Sequence, residues 1–231
     1  MDSGARIQVR YGWRAVLAIV VAVGALGAWL WLRTPTREGL QYHSLGEGDG
    51  APTVILLHGY GAPGDDLVRF GEGIVDGVDG VRVLCVEGPH DVGLGGHAWF
   101  GGPQTRRTTR QRLVRFVESV VEDGTPRSQI VIGGFSQGAA AAADVAAAMG
   151  NLRGVALLSG DHSTREPLTG RIFVSHGRSD AVLTFGVAER RARSYADRAD
   201  VLFVPFDGGH TLRPIEPAFV QWLRETFADA Q

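Results

Sequence analysis

No lysine occurs anywhere in this chain: all 23 basic residues are arginine. We read that exclusivity as codon composition, not as function. Against 25 acidic residues the formal net charge is −2, so no overall field draws nucleic acid to the molecule. Cysteine is almost as scarce. The single Cys85 excludes an intrachain disulfide, and its place in the apolar run "VRVLCV" predicts a buried, inert thiol. No cluster of His, Cys and Asp has metal-ligand spacing, which predicts that there is no metal centre. There is no internal repeat, and the one biased segment is a run of alanines. The one local concentration of charge is "RRTTRQRLVR", with Arg106, Arg107, Arg110, Arg112 and Arg115. It reads as the solvated face of an amphipathic helix, with contact to anionic lipid headgroups as the alternative.

Charge is missing altogether from Ala15 to Leu32, and so is proline. A helix over that stretch would cover about 27 Å at ~1.5 Å per residue, close to the ~30 Å of a bilayer core. Trp13, Trp29 and Trp31 flank it, where amphipathic rings favour the interface. Arg6, Arg10 and Arg14 precede it, which predicts a cytoplasmic N-terminus and an exported domain; Arg33 and Arg37 follow it, so the bias is thin. A cleaved signal peptide is the alternative, with Ala22-Val23-Gly24 or Ala25-Leu26-Gly27 as cleavage sites and a secreted product. The apolar run continues past both through Trp29-Leu30-Trp31-Leu32, which favours a retained anchor over residues 1–33. Residues 34–40, "TPTREGL", read as a linker into a domain spanning 41–231. That length supports one globular domain with a real core.

The domain alternates strand and helix. "TVILLHG" (53–59) and "VRVLCV" (81–86) read as buried parallel strands, and "QIVIGG" (129–134), "GVALLSG" (154–160), "RIFVSHG" (171–177) and "VLFVPF" (201–206) as strands. Between them, Leu113, Phe116, Val117, Val120 and Val121 recur at helical spacing, and the alanine run, "VAERRARSYADRA" and "PIEPAFVQWLRETFADA" read as helices. Asp65 and Asp66 read as caps of a helix over "DLVRFGEGI". Such alternation predicts an α/β fold: a mostly parallel sheet with helices on both faces and ligands at the carboxyl ends of its strands.

At those strand ends lie chemically capable residues. His58-Gly59-Tyr60-Gly61 follows the first strand. Gly134-Phe135-Ser136-Gln137-Gly138 opens the alanine helix, Asp180 follows "RIFVSHG", and His210 follows "VLFVPF". G-x-S-x-G between strand and helix is a nucleophile elbow, a tight turn that lifts the serine oxygen above the sheet. Gly134 and Gly138 leave room for the neighbouring strand and helix. A serine hydroxyl needs a base, which His210 is placed to be, and the imidazole needs an acid to fix its tautomer, which Asp180 is placed to be. The backbone N–H of Gln137 and that of Tyr60 are the candidate oxyanion donors. Alone, G-x-S-x-G is a weak signal in a chain with 33 glycines; four parts at four strand ends in this order are a strong one.

These residues resemble the α/β-hydrolase superfamily and, within it, the phospholipase/carboxylesterase group that includes the acyl-protein thioesterases. The matching pieces are "LLHGYGAPGDDL", "VEGPH", "GGHAWF", "GGFSQGA", "LLSG", "SHGRSDAVLTF" and "FDGGHTL". The resemblance implies serine ester hydrolysis through an acyl-enzyme, without metal or cofactor. It carries over Ser136, Asp180 and His210 as the triad, Tyr60 and Gln137 as oxyanion donors, and Trp99 and Phe100 as an acyl-pocket wall, core aromatics being their alternative. His97 departs from it, standing where relatives commonly carry a basic residue. About 35 residues separate the start of the elbow helix from the acid strand, which leaves no room for a cap domain and points to short or medium acyl groups.

Some assignments stay open. Asp207, three residues before His210, is a rival acid, and Asp161-His162 offers a rival acid or base. His58 reads as support for the oxyanion loop and His176 as a hydrogen-bond partner of the acid loop, while His43 and His90 carry no evident role. The expected function is a membrane-tethered serine esterase. The alternatives are a thioesterase or peptidase with the same triad, and a catalytically silent binding domain.

Overall fold

The computed structural model describes residues 34–228 except Ser163 and Arg165. The apolar segment expected to anchor the chain lies outside the described residues; among those described, no helix is long and apolar enough to cross a membrane.

The folded unit begins at Thr36. Its first strands, β1 (Thr36–Arg37) and β2 (Leu40–Gly46), form an antiparallel hairpin at the sheet edge. From Thr36 onward, the expected linker therefore forms part of the domain. Leu40 is buried in the core, and Arg37 pairs with Asp123. Then come β3 (Thr53–Leu57), α1 (Val68–Gly77) and β4 (Arg82–Val86). A small separate hairpin follows, β5 (His90–Gly93) with β6 (Gly96–Ala98), and then α2 (Pro103–Glu122). The remaining order is β7 (Ile130–Phe135), α3 (Gln137–Met149), β8 (Gly154–Leu158), β9 (Gly170–Gly177), α4 (Phe185–Tyr195), β10 (Ala199–Phe206) and α5 (Glu216–Ala228).

The eight-stranded sheet runs β1-β2-β4-β3-β7-β8-β9-β10. β2 is antiparallel to β4, and every pairing from β4 to β10 is parallel. Side chains alternate across it with the period of two that a strand imposes. Ile55, Leu57, Ile132 and Val174 join one core with α2 and α3; Val54, Leu56, Val131 and Phe173 join the other with α1 and α5. Both faces are covered, as the largely apolar central strands require. The chain leaves β3 toward β4 and later returns to place β7 on the other side. The strand order thus reverses between β3 and β7, and the crevice above that point is where open α/β sheets bind ligands.

Helix α2 buries Leu113, Phe116, Val117 and Val120, as their spacing predicts. Among its arginines, Arg106 grips Asp144 at 2.6 and 2.9 Å, Arg110 lies 3.9 Å from Glu166, and Arg115 meets Glu38 at 3.3 Å. This is a salt-bridged solvated face. Cys85 is buried, and burial pushes its thiol up to about 12, so it stays protonated. Asp65 and Asp66 do not cap α1. That helix begins after Leu67 and has no side-chain cap bond, because the preceding residues form turns of their own.

Candidate active site

Ser136 sits between β7 and α3 at φ +54° and ψ −115°, a conformation that non-glycine residues rarely adopt. Holding it there costs about 1–3 kcal/mol, which the packing on either side must supply. That packing is legible at the two flanking glycines. A Cβ on Gly134 would run into the backbone of Gly138, and one on Gly138 would run into the carbonyl oxygens of Leu57 and His58. Gly138 thus lets the start of α3 rest directly on β3. Ala139 to Ala143, all buried, extend that close contact.

Asp180 and His210 are joined. Asp180 Oδ2 lies 2.8 Å from His210 Nδ1, and its side chain has no exposed surface. The other carboxylate oxygen accepts the backbone N–H groups of Val182 and Leu183 at 2.8 and 2.9 Å. Burial alone pushes this acid up. The Leu183 N–H, the His210 bond and the Val182 N–H together outweigh it and hold Asp180 below the usual carboxylate range. His176 supports the same turn: its Nε2 donates to Leu183 O at 2.8 Å and lies 3.3 Å from Asp180 Oδ2. The ring of His210 packs on that of Phe135, the residue before the serine, with centroids 4.7 Å apart. Elbow and histidine loop therefore meet over Phe135. Among the described residues Ser136 Oγ has no hydrogen-bond partner, His210 included. Such bonds are often loose in a free site and tighten around a substrate.

The rival acids lie elsewhere. The side chain of Asp207 is 97% exposed and pairs with Arg178. Asp161 pairs with Arg191. His162 is buried, with Nδ1 2.8 Å from the Tyr195 hydroxyl, which itself donates to the His162 carbonyl. Burial, reinforced by nearby His176, pushes His162 from 6.5 down to about 4. The unfolded chain therefore takes up a proton that the folded chain refuses as pH falls from about 6.5 to about 4, and stability is lost across that window. Urea midpoints measured between pH 7 and 4.5 should fall more steeply for the natural chain than for His162→Gln. Equal slopes would refute the assignment.

The loop after β3 is tied down on all sides. His58 accepts the Gly88 N–H at Nε2 (2.9 Å), so its Nδ1 carries the proton it gives to Gly59 O (2.7 Å). Burial lowers the pKa of this ring, which suits the neutral tautomer. The N–H groups of Gly61 and Ala62 go to His97 O and Gly59 O, whereas that of Tyr60 takes no backbone acceptor among the described residues. The N–H of Gln137, first residue of α3, is one of those a helix leaves without an intrahelical partner.

Trp99 takes the core alternative. It has no exposed surface, and its indole N–H is bound to His58 O at 2.8 Å, as a buried indole requires. It cannot wall an open pocket. Phe100 is half-buried against the same core, with the Arg106 guanidinium 5.1 Å above its ring. The His97 side chain turns toward Gly88 O and Glu87 after β4, and its backbone links the β5–β6 hairpin to Gly61 and Ala62 of the β3 loop.

Three features had no signal in the sequence. The Gln137 side chain clamps the next segment, accepting from Trp99 N at 2.8 Å and donating to Phe100 O at 2.7 Å. Phe135 carries the His210 ring. An open cavity of about 720 Å³ borders both Phe135 and His210. A second hollow of about 660 Å³, between Arg110, Ala147 and Glu166, lies away from the strand ends and holds no nucleophile.

Solved structures share this architecture. Esterase PE8 superposes with a TM-score of 0.73 at 23% identity, over 81% of this chain and 99% of its own. A carboxylesterase from Mesorhizobium loti gives 0.71 at 21%, over 83% and 97%. A carboxylesterase from Bacillus cereus gives 0.69 at 21%, over 81% and 94%. Likeness at these identities speaks for the fold. A comparison with curated protein sequences gives no match. The sequence model of the phospholipase/carboxylesterase family matches residues 45–216, from the end of β2 to the start of α5. With that span covering well over half of the chain, from the loop after β3 through His210, the chain belongs to the phospholipase/carboxylesterase family of ester hydrolases.

Proposed function

We propose that this hydrolase cleaves carboxylic esters through an acyl-enzyme on Ser136. His210 takes the serine proton as the oxygen attacks the carbonyl and returns it to the departing alcohol. A water then repeats the cycle on the acyl-enzyme. Asp180 keeps the His210 Nδ1 protonated, so that Nε2 is free to accept. The N–H groups of Gln137 and Tyr60 receive the oxyanion, each worth about 2.7–4 kcal/mol of barrier. The reaction needs no metal or cofactor. The observation that carries this reading is the strained Ser136 at the switch point, with a part-buried Asp180–His210 pair whose ring packs against the neighbouring Phe135. Incubation with a fluorophosphonate, followed by mass spectrometry, should place one adduct on Ser136 and none on any other residue. A folded protein that takes no adduct would overturn the proposal and favour a silent binding domain.

The uncharged stretch from Ala15 to Leu32 supports a tether holding the catalytic domain on the exported side, and the short span between elbow helix and acid strand, with no room for a cap, supports short or medium acyl esters as substrates. After alkaline carbonate washing of membranes from expressing cells, the full chain should stay in the pellet. Its release into the wash would refute the tether.

A further inference from the structure

His97, in β6, fastens the loop after β3 with both its backbone and its ring. Its carbonyl accepts the Gly61 N–H at 2.8 Å, and its N–H donates to Ala62 O at 2.9 Å. Those bonds fix the two residues that follow Tyr60, whose N–H is the proposed oxyanion donor. The ring reaches the residues after β4: Nδ1 lies 3.1 Å from Gly88 O, and Nε2 lies 3.6 Å from Glu87 Oε2. The Glu87 carboxylate in turn rests on Gly64 of the same loop, in the space that a Cβ there would fill.

The protonation state of the ring decides how well this fastening holds. A carbonyl oxygen only accepts, so Nδ1 carries a proton. A carboxylate also only accepts, so the ring satisfies both neighbours only when Nε2 carries a proton as well. A neutral ring turns the Nε2 lone pair toward Glu87. The other titratable groups around it are Asp91, opposite His97 in the β5–β6 ladder, His58, which takes the Gly88 N–H, and Asp66 beside His58. Carboxylates outnumber cations here, and they favour the charged ring.

We infer that His97 is a positioning residue for the oxyanion loop: as an imidazolium bridging Gly88 O and Glu87 it keeps the Tyr60 N–H in place, and on losing its proton it lets the loop slacken. The inference rests on the acyl-enzyme reading, in which His210 must be unprotonated to take the serine proton. Rising pH therefore frees the base and then slackens the donor loop, so ester turnover passes through a maximum.

The test is the pH profile of kcat/KM for phenyl acetate with the full chain, from about pH 5 to 9, which spans the range of histidine titration. On the alkaline side of the maximum the natural enzyme should lose at least about fivefold, a fraction of the 10²–10³-fold that a missing oxyanion donor typically costs. His97→Arg keeps a charge and donors for both acceptors across the whole range. It should remove the alkaline fall and leave the maximum within about twofold. Glu87→Gln should remove the fall as well, because its amide can donate to a neutral Nε2, and it serves if the arginine variant does not fold. An alkaline fall that persists in both variants would overturn the inference, as would a natural profile that only rises. Absence of a Ser136 adduct together with no ester turnover would remove the acyl-enzyme reading itself. A Ser136 adduct with the fall unmoved would remove the positioning role alone.

Discussion

Ser136→Ala should lower kcat for a soluble ester on the order of 10⁶-fold, with what remains coming from the oxyanion donors and substrate binding. The loss should be chemical and not structural. Alanine keeps the Cβ that the φ of +54° already accommodates, and Ser136 Oγ has no partner among the described residues to lose. The urea midpoint should therefore stay close to that of the natural chain, within the ~0.5 kcal/mol typical of benign substitutions. Fluorophosphonate labelling should vanish with the activity. A folded Ser136→Ala protein that still hydrolyses ester at a tenth of the natural rate would show that the nucleophile lies elsewhere.

Asp180→Asn should lower kcat by about 10⁴-fold while leaving the fold in place. The amide oxygen can still accept the Val182 and Leu183 N–H groups, so the acid turn survives. The amide nitrogen then occupies the place of Oδ2, 2.8 Å from His210 Nδ1, where it donates. That reverses the tautomer: Nδ1 must accept, Nε2 carries the proton, and the ring can no longer take one from serine. Asp207→Asn is the matched comparison. With Asp207 exposed and paired to Arg178, its amide should change kcat less than twofold. Equal effects of the two substitutions would reopen the choice of acid. Ester turnover at saturating substrate, measured beside circular dichroism of each variant, decides between them.

Acid should act on the same Asp180–His210 pair. Asp180 titrates below its ordinary range when folded, so the stability its partners supply is complete above about pH 4. It is lost as pH falls through the lower folded value. The loss from His162 comes earlier, between about pH 6.5 and 4, and the two windows are separable.

Much of this was legible in one dimension because the signals are local. A strand buried on both faces is apolar throughout, so β3, β4, β7, β8 and β9 announce themselves as short runs. An elbow needs Gly134 and Gly138 at fixed offsets from its serine, because backbone atoms occupy the space where side chains would go. The order serine, acid, histidine follows from strands whose ends all point one way. Local pattern was misleading where the partner is distant. The segment 34–40 looks like a linker because Thr36, Arg37 and Glu38 are polar, yet its place is set by pairing with β2 and by Asp123, some 86 residues away. Trp99 looked equally suited to core or pocket. Burying the indole depends on the His58 carbonyl, 41 residues earlier in the chain, which no window of sequence contains.

The sequence by itself determined the class of sheet, the elbow and the family, since each is written in spacings of two, four or a few residues. Tertiary structure alone decided which acid meets His210 and what Gln137 and Phe135 hold, because those depend on loops from β3, β7, β9 and β10 converging across the switch point.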